Sequence, residues 1–241
     1  MFHLVKRHPF PVMAHFRHSL VLTYAYPAKL LAPLLPPGLT VDTYGDCGFL
    51  AIALVQAEQL RPSFLPQAFG RDCFLCGYRI FARAGSALRG LRIIESYTDR
   101  RWMRTAGNVL THYRYHLCQA SLEETAEGLS WIVRTPRGAA DLEVTAHFGP
   151  ASLPDGSPFT TEHDARRFAG PLPYTFDYEA ETGSIIRIEG VRQQWRPQPV
   201  RVEVRRNTFL DRDPFRREQS ILANAFHVSD LPYQWLKGRR M

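Results

Sequence analysis

Short apolar segments separated by glycine and proline recur along almost the whole chain of 241 residues. Most of them alternate apolar with polar residues or are rich in β-branched and aromatic residues, which is typical of β-strands. We predict strands at 16–24, 39–41, 49–59, 74–83, 91–97, 109–117, 130–134, 142–148, 174–178, 185–191 and 200–206, and short helices at 28–35, 100–106 and 162–168. This pattern favours a mainly β fold, a closed antiparallel barrel or sandwich with a few short helices, because closure removes exposed sheet edges.

Length and charge restrict the class of protein. A mainly β chain of this length commonly folds as one unit, so we predict a single domain over residues 1–241. No run of 18 apolar residues and no signal-peptide pattern is present, so we expect a cytoplasmic protein with no membrane span. The formal net charge of +7 favours an anionic partner. Because the arginines mostly alternate with apolar residues, a small molecule is a better candidate than a nucleic acid. A homo-oligomer stays an open alternative.

The segment 88–117 holds most of the residues that are able to do chemistry. In its first predicted strand, side chains alternate with period two, so Glu95 and Tyr97 share one face with Ile93. Glu95 is a candidate proton-transfer group, and Tyr97 is a candidate ligand contact. Pairing of Glu95 with one of the many arginines is the equal alternative.

A short helix and a second strand complete this segment. The predicted helix 100–106 carries Trp102, and Gly107 suits the left-handed residue that ends such a helix. In the strand that follows, His112 and Tyr113 lie on opposite faces, so only one of them can face a cavity, and the sequence leaves open which one. His112 is a candidate general base because imidazole titrates near neutral pH. A histidine that is merely hydrogen-bonded in the wall is the competing interpretation.

The cysteines and histidines do not predict a metal site. The four cysteines are too few and too scattered for a disulfide framework. Cys73 and Cys76 form a lone CxxC at the start of a predicted strand, whereas zinc sites need two further ligands and redox CxxC motifs begin helices. His112 and His116 would lie about 13 Å apart in a strand. We therefore expect neither a metal nor a cofactor.

The most specific pattern is the stretch 17–41, RHSLVLTYAYPAKLLAPLLPPGLTV. An arginine that opens a strand, a short helix ending in LLPPGL and a following hairpin resemble the amino-terminal part of the acetoacetate decarboxylase-like superfamily. The whole chain resembles more closely the uncharacterised YqjF-like family within it, domain of unknown function 2071. The motifs that carry this resemblance occur in the expected order: LLPPGLTVDTYGDCGFLAIAL, GLRIIESYTDRRWM, IEGVRQQWRPQPV and FHVSDLPYQWL.

The resemblance implies a cone-like closed β-barrel with a ligand site in its interior. In the decarboxylase, an amino-terminal arginine faces the substrate carboxylate and a lysine forms a Schiff base with the ketone. Arg17 takes the position of that arginine, and its planar guanidinium suits a carboxylate. The lysine has no counterpart. Its position falls close to His112, and the only lysines of the chain are Lys6, Lys29 and Lys237.

Three functions follow from these observations. The leading hypothesis is that the barrel binds a small, anionic organic molecule, with Arg17 as the anion contact. The other candidate ligand-binding residues are Tyr97, Tyr113 and Trp102. The alternative is a lyase or hydrolase that acts on a keto or enol acid without a Schiff base, in which His112 or Glu95 transfers protons. Nucleic-acid binding through the basic surface is the third and least favoured hypothesis.

Overall fold

The computed structural model describes residues 2–170 and 172–241. Their strands are β1 Val12–Pro27, β2 Leu39–Val41, β3 Cys47–Pro62, β4 Arg71–Ala84, β5 Leu88–Thr98, β6 Tyr115–Leu117, β7 Gln119–Thr125, β8 Gly128–Arg134, β9 Leu142–His147, β10 Tyr174–Glu179, β11 Ser184–Arg192, β12 Gln198–Pro199, β13 Arg201–Asn207, β14 Ile221–Trp235 and β15 Arg239–Arg240. Their α-helices are α1 Ala28–Leu31, α2 Arg101–Leu110 and α3 Glu162–Ala169. Short 3-10 helices lie at Phe2–Leu4, Ala32–Leu34, Gln67–Phe69, Pro136–Gly138 and Arg217–Gln219. The prediction of a mainly β fold with few short helices is confirmed.

Eleven of these strands form one sheet in the order β12-β14-β1-β3-β4-β5-β10-β11-β15, with β2 beside β4 and β6 beside β5. β11 also pairs with β14, where Gly190 lies opposite Trp235 and Arg192 opposite Tyr233. Neighbouring strands are antiparallel, except that β5 pairs in parallel with β10 and with β6. The remaining four strands form a second, antiparallel sheet in the order β13-β9-β8-β7.

The second sheet packs against one face of the large sheet. Trp131 of β8 is fully buried in an apolar cluster that also contains Leu54 of β3 and Tyr78 of β4. Burying such a side chain contributes about 1.5–3 kcal/mol, so this cluster strongly fixes which face of β4 turns inward. Because side chains alternate along a strand, the other face of β4 carries Leu75, Gly77 and Arg79. That second face is turned toward helix α2.

The prediction of a strand at 109–117 is largely wrong. Helix α2 continues to Leu110, and only the last three residues of the segment form strand β6. Gly107 does not end the helix. It lies inside α2, where a Cβ atom would overlap the ring of Tyr115. The Asn108 side chain donates to the carbonyl of Tyr115 at 2.9 Å and accepts from its N–H at 2.8 Å. These tertiary contacts outweigh the strand-like alternation of the sequence.

The carboxyl-terminal segment forms a long strand that the sequence pattern did not predict. β14 pairs with β1 over almost its whole length, from Trp235 opposite Val12 to Ile221 opposite Ala25. Strand β1 therefore lies in the interior of the large sheet, between β14 and β3. None of the helices in the described part of the chain has the length and hydrophobicity to cross a bilayer.

Candidate functional site

A cavity of about 190 Å³ lies between helix α2 and the face of β4 and β5 that is turned away from the second sheet. The leader before β1, the end of β3 and the end of β14 also line it. Most of its wall is apolar, including Leu75, Ile93, Trp102, Met103, Leu110 and Trp235. The end of β3 contributes Leu60, Arg61 and Pro62. A cavity that is mostly apolar and has few polar groups is the usual form of a small-molecule site.

A β-bulge decides which side chains of β5 reach this cavity. The register between β4 and β5 shifts where Tyr78 pairs with Glu95 and Arg79 pairs with Ile93. Because of the extra residue, Ile93 and Ser96 both line the cavity although they are three positions apart. Glu95 is turned to the opposite face of the sheet.

Arg79 supplies an unpaired cation to the cavity wall. Its Nε atom is fully buried and has no hydrogen-bond partner, and within the described residues no carboxylate forms an ion pair with it. Gly77 leaves room for the side chain, since a Cβ atom there would lie 3.0 Å from Nε of Arg79. The described residues lining the cavity include no aspartate or glutamate. A guanidinium without a carboxylate partner in a mostly apolar wall is a candidate contact for an anion.

The other charged groups near the cavity already have hydrogen-bond partners. Arg61 donates through Nε to the carbonyl of Leu65 at 3.3 Å and through Nη1 to that of Gln59 at 3.0 Å. Behind the wall, the buried carboxylate of Asp177 accepts from Arg92 Nη1 at 2.6 Å. The second oxygen of Asp177 accepts a hydrogen bond from the backbone N–H of His112 at 2.9 Å. Asp177 is therefore neutralised by Arg92 and is not the counter-ion of the cavity.

Two further buried polar atoms of the cavity residues lack a hydrogen-bond partner, the hydroxyl of Tyr113 and Nδ1 of His8. Burial, reinforced by the carboxylate of Asp177, raises the pKa of Tyr113 well above its ordinary value. The hydroxyl therefore stays protonated at neutral pH and is a hydrogen-bond donor. Burial lowers the pKa of His8 to about 4, so its ring is neutral at the same pH.

The structure brings two of the predicted site residues, Trp102 and Tyr113, into the cavity wall. The open choice between His112 and Tyr113 is thereby decided. His112 does not line the cavity; its backbone N–H donates to Asp177, and its Nε2 is buried without a partner.

The predicted site residues Glu95 and Tyr97 lie outside the cavity, on the face of β5 that packs toward Tyr78. The Glu95 carboxylate accepts hydrogen bonds from the Tyr97 hydroxyl and from Arg212. Burial and the hydrogen bond to Glu95 raise the pKa of Tyr97 far above its ordinary value. The structural pairing of Glu95 with an arginine, which the sequence left as an equal alternative, is the arrangement present.

The expectation that Arg17 faces the cavity is wrong. Its side chain is 54% exposed and donates to Glu124 at 2.9 Å. The register between β1 and β3 shifts between Phe16 and His18, so Arg17 is the extra residue of a bulge. The buried side chains on either side of it, Phe16 and His18, leave Arg17 turned outward.

The CxxC cysteines do not converge. Cys73 and Cys76 are three residues apart in β4 and belong to different apolar clusters, as expected for opposite faces of a strand. Burial raises the pKa of each thiol to about 12, which disfavours the reactive thiolate. Among the described residues, no group of three or more His, Cys, Asp or Glu side chains is arranged to hold a metal ion.

Sequence comparison identifies the family. The model of a family described as an uncharacterized conserved protein, DUF2071, matches residues 13–233. This chain belongs to the DUF2071 family. No curated protein matches it in sequence.

Solved structures of acetoacetate decarboxylase-like proteins share the fold of this DUF2071 protein. An acetoacetate decarboxylase from Legionella pneumophila has a TM-score of 0.65 at 13% identity, over 97% of this chain and 88% of the other. An acetoacetate decarboxylase-like enzyme from Sphingomonas wittichii has a TM-score of 0.62 at 14% identity, over 96% and 91%. The enduracididine biosynthesis enzyme MppR complexed with pyruvate has a TM-score of 0.60 at 13% identity, over 96% and 90%. At these identities the likeness establishes the fold.

Arg79 and His8, two residues of the DUF2071 cavity with a buried nitrogen that lacks a partner, were not predicted from the sequence. Arg79 carried a usable signal, since it is the one charged residue in the otherwise apolar run 73–82, and a charge in such a strand needs a partner. His8 carried none, because it lies in a proline-flanked leader without periodicity. Its place in the wall depends on contacts with α2 and with the chain after β14.

Proposed function

We propose that this DUF2071 protein binds a small organic carboxylate in the cavity beneath α2, with Arg79 as the anion contact. The observation that carries the proposal is the unpaired guanidinium of Arg79 in an apolar wall that contains no acidic residue. A guanidinium binds a carboxylate through two parallel hydrogen bonds, and these are stronger in a wall of low polarity. Tyr113, with its protonated hydroxyl, is a second donor in the same wall.

The volume and the lining limit the class of ligand. A dry engineered cavity of about 150 Å³ holds one benzene molecule. The cavity here, at about 190 Å³, has room for one aromatic ring or branched chain together with a carboxylate. The indole rings of Trp102 and Trp235 offer apolar surface for the body of such a ligand. Pyruvate bound to the structural neighbour MppR supports an acid as ligand by analogy of fold.

The cavity does not supply the groups that the enzyme hypothesis used. None of the chain's three lysines is among the described residues that line it, so this proposal includes no Schiff base. Glu95 and His112 also lie outside its lining. The binding proposal therefore assigns them no proton transfer.

We also infer that the large sheet closes into the cone-like barrel of the superfamily and that residues 1–241 form one domain. The pairing of β11 with both β10 and β14 supports closure, since it gives β1, β3, β4, β5, β10, β11 and β14 a neighbour on each side. The shared apolar cluster of both sheets supports a single domain. Small-angle X-ray scattering and one cooperative unfolding transition would test the domain statement.

The proposal is tested by titrating phenylacetate into the protein while following tryptophan fluorescence, because Trp102 and Trp235 line the cavity. Arg79→Met removes the guanidinium but keeps an apolar side chain. Since hydrogen bonds to charged groups contribute about 1.5–3 kcal/mol, binding should weaken about ten- to hundredfold. Arg17→Met is the matched control, and it should bind like the wild type because Arg17 lies on the surface. Equal weakening in both variants, or none in Arg79→Met, contradicts the proposal.

A further inference from the structure

The backbone of His8 is held in an uncommon conformation at the edge of the cavity. Its φ of 54° lies in the left-handed region, which few non-glycine residues adopt. Its N–H donates to the carbonyl of Leu110 at 3.0 Å, and its carbonyl accepts from Gly238 at 2.9 Å. His8 is thus tied both to the end of α2 and to the chain that follows β14. Such a conformation persists only where the surroundings determine it.

An ion pair next to His8 anchors the same segment. Arg7 donates to both carboxylate oxygens of Glu179, through Nε at 2.7 Å and through Nη2 at 2.6 Å. Glu179 is fully buried at the end of β10. The two backbone hydrogen bonds and this bidentate pair leave the His8 side chain little freedom to leave the cavity.

The His8 ring presents a buried nitrogen without a hydrogen-bond partner. The residue is 8% exposed and lines the cavity, and its Nδ1 is buried without a partner. The ring is neutral at pH 7, because burial lowers its pKa to about 4 against the opposing effect of backbone groups of Phe10 and Leu236. A neutral imidazole carries one proton, and assigning it to Nε2 leaves Nδ1, the buried nitrogen without a partner, as the hydrogen-bond acceptor.

The unpartnered polar groups of the cavity therefore include both hydrogen-bond donors and an acceptor. Arg79 only donates, and the protonated hydroxyl of Tyr113 also donates, so these two can satisfy a carboxylate. A carboxylate offers no proton to His8. A buried acceptor left without a donor is unfavourable, so the ligand or a water molecule must supply an O–H or N–H group.

We propose that the ligand carries a hydroxyl or enol group in addition to its carboxylate, and that His8 accepts the hydrogen bond from this group. The ligand class is then a hydroxy or enol acid with an apolar body. This inference rests on the proposed function, since it concerns the same cavity and takes Arg79 as the carboxylate contact.

Two pairs of acids that differ by one hydroxyl test the inference on the wild-type protein. They are phenylacetate with mandelate, and 3-phenylpropanoate with 3-phenyllactate. In at least one pair, the hydroxy acid should bind about three- to tenfold more tightly than its partner, the range expected for one added hydrogen bond. α-Methoxyphenylacetate keeps the oxygen but cannot donate, so it should show no such gain over phenylacetate. No preference in either pair, or an equal gain for the methoxy acid, overturns the inference.

Two variants identify the accepting group. His8→Phe keeps a ring and removes the acceptor, so the preference for the hydroxy acid should disappear while binding of the parent acid persists. Tyr113→Phe removes the other unpartnered group and should retain the preference. A preference that survives in His8→Phe, or that disappears only in Tyr113→Phe, overturns the assignment. If His8→Phe does not fold, the wild-type ligand series decides by itself.

The results also separate this inference from the proposed function. If all the acids bind, their binding depends on Arg79 and no hydroxyl preference is found, only the role of His8 is refuted. A water molecule then donates the hydrogen bond to Nδ1. Absence of binding by every acid refutes the carboxylate site, and the inference about His8 falls with it.

Discussion

Replacing Gly77 with alanine tests how the Arg79 side chain is positioned. Gly77 and Arg79 lie two residues apart on the cavity face of β4, and the guanidinium passes over the glycine. A Cβ atom at residue 77 would lie 3.0 Å from Nε and 3.4 Å from Nη2 of Arg79. The contact of 3.0 Å is tighter than ordinary van der Waals contact, so the guanidinium must move by a few tenths of an ångström. The alanine therefore shifts the anion contact without removing it.

The structure predicts different magnitudes for stability and for binding. The crowded atoms belong to the end of a flexible side chain, so the strain is relieved cheaply. Alanine also reduces the entropy of the unfolded chain, which stabilises by about 0.4–1 kcal/mol. We expect the free energy of unfolding of Gly77→Ala to stay within about 1 kcal/mol of the wild type. Phenylacetate binding should weaken about three- to tenfold, since a displaced guanidinium loses part of the 1.5–3 kcal/mol of a charged hydrogen bond.

A double-mutant cycle shows whether the effect passes through Arg79. Calorimetric titration with phenylacetate would be performed on the wild type, Gly77→Ala, Arg79→Met and the double variant, with urea unfolding of each as the stability control. In the Arg79→Met background the alanine should have no further effect on affinity, because the group that it displaces is absent. The same loss of affinity in both backgrounds refutes the reasoning.

Three further predictions concern the framework of the cavity. Gly107→Ala places a Cβ atom against the rigid ring of Tyr115, so urea unfolding should show a loss of about 1–3 kcal/mol, and an unchanged midpoint contradicts the contact. Arg92→Met leaves the buried carboxylate of Asp177 without its cation, which should cost about 3–5 kcal/mol and be largely restored by adding Asp177→Asn; a single variant as stable as the wild type refutes this. The guanidinium that pairs with Glu179 lowers the pKa of that carboxyl to about 2, so its stabilisation is present above the unfolded value of about 4.3 and is lost as pH falls toward 2. The difference in unfolding free energy between the wild type and Glu179→Gln should therefore shrink between pH 6 and pH 3, and a constant difference contradicts the linkage.

The sequence predicted the mainly β fold because strands leave a period-two pattern that no other element produces. The period-two rule predicted the wrong face for candidate site residues wherever a β-bulge interrupts the alternation. Glu95 was expected to share a face with Ile93, but the bulge in β5 turns them to opposite sides. Arg17 is itself the extra residue of a bulge in β1 and is turned to solvent. A bulge depends on the register with neighbouring strands, which one strand's sequence does not contain.

Contacts between segments that are distant in the sequence explain the other features that the sequence did not predict. The length of α2 depends on the close approach of Gly107 to the ring of Tyr115. In the local sequence pattern, a glycine at this position resembles the end of a helix. The position of His8 depends on hydrogen bonds to residues that follow it by about a hundred positions or more. By contrast, the structure places Trp102 and Tyr113, two of the candidate ligand-binding residues, in the cavity wall. The sequence left the choice between His112 and Tyr113 open, and the part of Trp102 and Tyr113 in binding stays a prediction.

The most direct measurement is a crystal structure of the protein with 3-phenyllactate at saturating concentration. We expect the carboxylate to lie within about 3 Å of guanidinium nitrogens of Arg79, with the phenyl ring among the apolar residues beneath α2. An acid bound at the surface beside Arg17, or a cavity that stays without ligand under these conditions, would contradict it.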